Sequence, residues 1–230
     1  MTILENNELH LWSAVLTLDE QQEIHYLTYL SEDEKYRADR FRTPQLRQRF
    51  IAARGILREL LGKYLSCPPS DIVFAYGEHG KPSLQGANSA RLNFNIAHSH
   101  DMAVYGFTIG RLVGVDIEKV DDHYKEAIAK RYFTPEENAK LSRLAEPQRI
   151  QAFYCIWAYK EALMKAIGKG LSYPIAQFSV FFDNKCHLFL ENINWHLETF
   201  AVCEGYASAF AVEEGIKKIC YTEHHRFREK

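Results

Sequence analysis

The apolar positions of the chain follow two periods in turn. Leu9 to Leu18 reads as a strand, and Asp19 with Gln22 opens a short helix as a capping box. Ser31 with Glu34 repeats that signature, and a third helix follows with Phe50, Ala53, Leu57, Leu61 and Tyr64 on one face. Ile72 to Ala75 is a short strand before a turn-rich stretch, Gly77 to Ser89. Leu92, Phe94 and Ile96 alternate with Asn93, Asn95 and Ala97, and Met102 to Thr108 returns as a second strand. In Leu112 to Glu118, Val113, Val115 and Ile117 point one way while Gly114, Asp116 and Glu118 point the other. Thr134-Pro135-Glu136-Glu137 starts a helix reaching about Leu144, which Glu146-Pro147 breaks. A long helix then begins near Arg149, carries Phe153, Ile156, Trp157, Leu163, Met164 and Ile167, and stops at Gly168 and Gly170. Beyond Ile175 the pattern is strands: Phe178 to Phe182, Lys185 to Leu190, Trp195 to Val202, Tyr206 to Val212 and Lys218 to Tyr221. Asp183-Asn184 and Glu213-Glu214-Gly215 mark turns, and Glu223 to Lys230 is a charged, fraying end.

One unit of this pattern occurs twice. Phe50 to Phe74 laid over Ile156 to Val180 matches Ala52 to Ala158 and Leu57 to Leu163; Gly62-Lys63, Leu65-Ser66 and Pro68 then meet Gly168-Lys169, Leu171-Ser172 and Pro174. Both copies read as helix, glycine stop, turn, strand, which predicts a mixed α+β fold of two similar halves about a pseudo-two-fold axis. The halves are expected at 1–112 and 113–230, with the functional site in the cleft between them.

Composition narrows the class. Across 230 residues, 47% hydrophobic and 25% charged is globular, and a net charge of −2 gives no global reason to expect nucleic acid. Five scattered cysteines without a CxxC pair argue against a disulfide framework and a zinc site. No membrane span or signal peptide is evident, so a cytoplasmic protein is expected.

Local chemistry is more specific. Asp116 and Glu118, roughly 6.5–7 Å apart on one strand face, can converge on one cation, and oxygen ligation without His or Cys suggests Mg2+ or Mn2+. An exposed acidic strand face is the alternative. Glu161 and Lys165, one helical turn apart beside Trp157, read either as a salt-bridged surface pair or as a third carboxylate with a catalytic ammonium. Lys35, Arg37, Arg40, Arg47 and Arg49 form a solvated basic face or, alternatively, a phosphate pocket. Lys81 is held on the stiff turn Gly80-Lys81-Pro82, and His98 lies at a strand end, as a structural histidine or a ligand contact. Three carboxylates, a lysine and a separate basic pocket are what a magnesium-dependent phosphoryl-group enzyme requires, and no P-loop is present.

In this order and spacing, Phe94-Asn95-Ile96-Ala97-His98-Ser99, Gly114-Val115-Asp116-Ile117-Glu118, Phe133-Thr134-Pro135-Glu136-Glu137 and Trp157-Ala158-Tyr159-Lys160-Glu161 through Lys165, Gly168, Gly170 and Leu171 resemble the surfactin-type (Sfp-like) 4'-phosphopantetheinyl transferases. The resemblance runs from about Lys35 to Phe182. It implies transfer of the phosphopantetheine arm of coenzyme A to a serine of an apo acyl or peptidyl carrier protein, releasing adenosine 3',5'-bisphosphate. It further implies Mg2+ (or Mn2+) on Asp116, Glu118 and Glu161. Glu161, directly or through a metal-bound water, would take the serine proton, and Lys165 would stabilise or protonate the leaving phosphate. Lys81 would touch the phosphates, and His98 with Arg37 and Arg49 would hold the ribose phosphate. Glu137 would stand behind the metal site. Two positions depart from the family: Ala97 replaces a frequent Ser, and Glu34 stands where a basic residue is expected, with Lys35 adjacent as a substitute. The roles implied lie in fatty-acid, polyketide or nonribosomal peptide biosynthesis, for a monomer whose carrier surface falls between Phe133 and Ser172. A pyrophosphate-cleaving enzyme of another kind, or a non-catalytic carrier or coenzyme A binding module, are the competing readings.

Overall fold

The computed structural model describes residues 3–86, 91–170, 173–180 and 185–224. Ten strands and six α-helices are assigned among them. A first sheet contains β1 (Glu8–Val15), β4 (Leu92–Ser99), β5 (Met102–Ile109) and β10 (Lys218–Glu223), in the order β10-β1-β5-β4. A second contains β6 (Val113–Lys119), β7 (Lys185–Leu190), β8 (Ile193–Thr199) and β9 (Tyr206–Glu213), in the order β6-β9-β8-β7. A two-stranded ribbon, β2 (Phe74–Tyr76) with β3 (Pro82–Leu84), stands apart. The helices are α1 (Glu20–Leu27), α2 (Glu32–Asp39), α3 (Pro44–Leu65), α4 (Glu126–Tyr132), α5 (Pro135–Ser142) and α6 (Glu146–Ile167).

The expected mixed α+β architecture is present, and α3 and α6, each 22 residues long, are its two long helices. The repeat between them is shifted by one turn from the alignment the sequence favours. Gly168 does end α6, in the left-handed region at φ 81°. Gly62 does not end α3, which runs on to Leu65 and is capped by Ser66 at φ 53°. Gly62 is glycine for another reason: a Cβ there would lie 2.8 Å from the carbonyl oxygen of Cys67, so the returning chain needs the space. Leu171 and Ser172, also matched in the repeat, lie outside the described residues.

Other boundaries moved for local reasons. α6 begins at Glu146, because Pro147 falls in its first turn, where the missing N–H costs nothing. Phe178 to Val180 is not a strand, and the rest of that expected element, with the Asp183-Asn184 turn, is outside the described residues, as are Ser89 and residues 225–230. β10 crosses the division expected at 112 and 113, since it pairs in parallel with β1 in the first sheet.

Three apolar clusters result. One lies under α3 and includes Leu57, Leu61, Phe94, Tyr105 and Phe107; one lies under α6 and includes Phe153, Leu163, Met164, Trp195 and Ala209. The third joins the sheets through Leu9, Leu11, Val104, Val113, Val115, Ile117 and Phe210. Across this seam β4 and β6 are not a hydrogen-bonded pair in either sheet; instead Val115 N donates to Asn95 Oδ1 at 2.8 Å and Lys119 N donates to Ser99 Oγ at 3.1 Å. Asn95 is buried, so the pattern that reads as a polar strand face is a buried bridge.

α6 meets β6 at Gly114, where a Cβ would stand 2.0 Å from the carbonyl oxygen of Ala162 and 2.4 Å from the nitrogen of Ala166. Both obstacles are backbone, so a side chain could be accommodated only by lifting the helix. Gly114→Ala is expected to destabilise the chain by about 1–3 kcal/mol, as overpacking does, read by chemical denaturation. A change within error would show that α6 can yield.

Candidate functional site

The face of β6 that carries Gly114 also carries Asp116 and Glu118, and the close approach of α6 brings Glu161 and Lys165 down onto them. Lys165 Nζ donates to Asp116 Oδ1 at 2.6 Å, and Trp157 Nε1 donates to Glu118 Oε1 at 3.2 Å. Asp116 is buried, and its Oδ2 has no hydrogen-bond partner among the described residues. An orphaned buried carboxylate oxygen is costly. Burial pushes the Asp116 and Glu118 carboxyls up, with Lys165 opposing in both cases. Glu161 is raised to about 7, by burial and by the charges of Asp116 and Glu118, again against Lys165. Lys165 is raised despite its burial, because Asp116, Glu161 and Glu118 surround it.

The alternative of an exposed acidic strand face is excluded by the burial of Asp116, and that of a simple Glu161–Lys165 surface pair by the partner Lys165 takes instead. The four groups form one cluster. It is not a closed cage: among the described residues, Asp116, Glu118 and Glu161 do not bring three ligand oxygens within 4.8 Å of one another. Mg2+ characteristically takes one or two carboxylates together with substrate phosphates and water, so an open, all-carboxylate set with one unpartnered oxygen fits it.

Beside the cluster lies a cavity of about 200 Å³ lined by residues that include His79, Lys81, Glu161, Met164, Lys165 and Gly170. Lys81 reaches it from the ribbon, where Gly80 at φ 76° makes the turn. Its Nζ donates to Ala166 O at 3.0 Å, at the carbonyl end of α6, and to Val113 O at 3.4 Å. Burial lowers its pKa to about 8. Lys81 thus anchors the ribbon to the helix end and also faces the cavity. His79, which the sequence reading passed over, lines the same space.

The basic residues divide. His98 is at the surface end of β4; desolvation, then the charges of Lys165, Arg54 and Arg49, lower its pKa. Arg49 is paired with Asp101 at 2.7 Å. Arg37 lies over the rings of Phe50 and Tyr76, 5.7 and 5.6 Å from their centroids. Lys35 turns away to Glu32, 2.8 Å distant, on the exposed side of α2. Arg54, absent from the sequence reading, is the central member: buried, over Phe50, Phe74 and Tyr76, with its Nη1 unpartnered. A guanidinium inside an otherwise apolar helical run was the signal available. Glu34 does not face this group as a misplaced base. It is fully buried, 2.7 Å from Arg58 Nε and 3.9 Å from Arg54 Nε, and so holds those arginines in place. Ala97 is buried in the seam.

Glu137 is engaged away from the Asp116–Glu118–Glu161 cluster. Its carboxylate completes the α5 capping box, pairs with buried Lys160 at 3.1 Å and accepts from Val180 N at 2.7 Å.

A model of the 4'-phosphopantetheinyl transferase superfamily matches residues 112–211, and one described as 4'-phosphopantetheinyl transferase, N-terminal, matches residues 17–107. The 4'-phosphopantetheinyl transferase HetI of Nostoc sp. is 39% identical over 175 residues, which span 75% of this chain and 73% of that protein. The chain belongs to the 4'-phosphopantetheinyl transferases. Likeness to the 4'-phosphopantetheinyl transferase Sfp of Bacillus subtilis extends further, at 28% identity over 90% of this chain and 94% of that protein. Both sides of the seam therefore belong to the transferase. Among the described residues no helix is long and apolar enough to cross a membrane.

The pKa of Glu161 has a consequence for stability. Because the folded-state value exceeds the unfolded one, the folded chain holds its proton more tightly between pH 4.5 and about 7, and stability falls as pH rises through that window. In metal-free buffer Glu161→Gln is expected to be more stable than the parent at pH 8, on the order of 1–3 kcal/mol, with the two converging near pH 5. Urea denaturation at both pH values measures this; a variant less stable at pH 8 would contradict the assigned environment.

Proposed function

We propose that the transferase carries the 4'-phosphopantetheine group from coenzyme A to a serine hydroxyl of an apo acyl or peptidyl carrier protein, with Mg2+ on Asp116, Glu118 and Glu161, releasing adenosine 3',5'-bisphosphate. The observation that carries this reading is the pairing of a carboxyl raised to about 7 with an adjacent ammonium and an unpartnered buried carboxylate oxygen. The serine oxygen forms a bond to the phosphorus that bears the pantetheine arm, and the bond from that phosphorus to the bridging oxygen breaks. Mg2+ supplies neutralisation of pyrophosphate charge when bound. Glu161, on the site's open side with Lys165 one turn away, accepts the serine proton. Lys165, freed from Asp116 as the charges rearrange, stabilises the negative charge that develops on the leaving bisphosphate. Lys81, half-buried on its turn, supplies a second cation toward the phosphates in the adjoining cavity.

The basic group gives the donor its other end. Arg54, with a free guanidinium nitrogen over an aromatic floor, joins Arg37, Arg49 and His98 in holding the ribose phosphate; Lys35 on its outward-facing side contributes less. The carrier docks along the surface between Phe133 and Ser172. Both sides of the cleft come from one chain, which therefore acts as a cytoplasmic monomer; an obligate dimer in sedimentation would end that part of the reading.

The test is the intact mass of apo carrier after incubation with the chain, coenzyme A and Mg2+. A gain of one phosphopantetheine group, abolished by chelator, is expected; no gain on fatty-acid, polyketide or peptide carriers, with coenzyme A still bound, would favour a binding module. Asp116→Ala and Glu161→Ala should each lose at least about 100-fold in rate, the scale of a removed electrostatic catalyst, while Mg2+ should raise the melting temperature of the parent and not of these variants. His98→Ala and Arg54→Ala should weaken coenzyme A more than dephospho-coenzyme A in calorimetry. Equal losses for both ligands would remove those residues from the ribose-phosphate contact.

A further inference from the structure

The parallel pairing of β1 with β10 sets Glu8 opposite Lys218 and His10 opposite Cys220. Partners in a parallel pair share a sheet face, so side chains from the two ends of the chain meet on the side where Tyr64 of α3 lies. Glu8 and His10 are buried, and Cys220 is half-buried and free. One ligand atom from each of Glu8, His10 and Cys220 lies within 4.8 Å of the others, the one such His, Cys, Asp or Glu group among the described residues.

We propose that Glu8, His10 and Cys220 form a Zn2+ site that staples the last strand of the chain to the first. Thiolate, imidazole and carboxylate together are the donors of a borderline-soft ion and not of Mg2+, which separates this site chemically from the all-oxygen cluster on β6 and α6. Tetrahedral zinc with its usual bond lengths holds donor atoms roughly 3.3–3.6 Å apart. His10 Nε2 and Glu8 Oε2 are already 3.1 Å apart. Cys220 Sγ lies within 4.8 Å of both, so a side-chain rotation can close the set.

The surroundings orient these donors. Lys218 Nζ donates to Glu8 Oε1 at 2.6 Å, which leaves Oε2 turned toward His10 and offsets one negative charge. Tyr64 Oη lies 2.9 Å from His10 Nδ1 and accepts from Trp12 Nε1 at 2.8 Å. With Nε2 on the metal, Nδ1–H donates to the second lone pair of that oxygen, the usual way a ligating histidine is fixed. The staple has a structural use: among the described residues β10 pairs with β1 alone and is largely exposed, so it buries little apolar surface of its own.

Cobalt titration into the full chain under reducing conditions tests this, because Co2+ bound to thiolate gives a near-ultraviolet charge-transfer band that oxygen sites lack. One Co2+ per chain with that band, displaced by Zn2+, is expected. The band should vanish in Cys220→Ser and His10→Ala, and persist in Cys203→Ser, which removes an exposed thiol, and in Asp116→Ala. Should a variant fail to fold, the unaltered chain still decides: Zn2+ should slow alkylation of Cys220, located by peptide mass, where Mg2+ does not, and should raise the melting temperature further in saturating Mg2+. No thiolate band at excess cobalt, a band that survives Cys220→Ser, or Cys220 alkylation indifferent to zinc would each overturn the site.

Discussion

α6 rests on β6 with no room for a methyl group at Gly114, and the active cluster depends on that contact. Here the helix backbone itself touches the strand, so Asp116, buried, and Glu118, Glu161 and Lys165, half-buried, share one site. Burial pushes all three carboxyls upward, their like charges add to the shift of Glu118 and Glu161, and Lys165 is drawn onto Asp116 against the excess of negative charge. A divalent cation would neutralise the same excess and release Lys165 for other work.

The halves built on α3 and α6 are alike in length and ending but not in packing. Where α6 meets glycine and alanines, α3 is held off its sheet by Phe94, Tyr105 and Phe107, with the Tyr105 hydroxyl donating to Ala53 O at 3.2 Å. That wider layer admits Arg54 and Arg58, which are anchored by the buried Glu34. Each half thus carries one charged cluster, basic beside α3 and acidic beneath α6, within a near-neutral whole. The seam between them is bridged by Asn95 and Ser99, side chains doing what a strand partner would do elsewhere.

Much of this was legible in the residues. Alternation gave β4, β5 and β6, and the capping boxes gave the starts of α1, α2 and α5, because these signals are local. The acidic face of β6 and the pair on α6 were visible as candidates for the same reason. What escaped depends on distant chain. Whether Gly62 ends a helix or admits a returning loop is decided by Cys67, and no periodicity contains that information. Glu34 looked like an acidic intruder in a basic stretch because its partners, Arg54 and Arg58, lie twenty or more positions further on. Glu137 was suspected of reaching the metal cluster, yet its capping role and the buried Lys160 consume it. β10 could be read as a strand, but its return to β1 could not, and with it went any view of Glu8, His10 and Cys220 as neighbours.

Net charge hid the chemistry for a related reason. A value of −2, from 28 basic residues against 30 acidic ones, is a chain-wide sum that does not register an acidic cluster on one side of the seam and a basic one on the other. At close range the cations do act: desolvation first, then the charges of Lys165, Arg54 and Arg49, hold His98 below its ordinary pKa. Near neutral pH its imidazole therefore resists a charge of its own. A bound anion would reverse that balance, since negative charge set among the same cations favours the protonated ring. Arginine, always charged, fixes where an anion settles; histidine, poised by those arginines, answers to whether one is there.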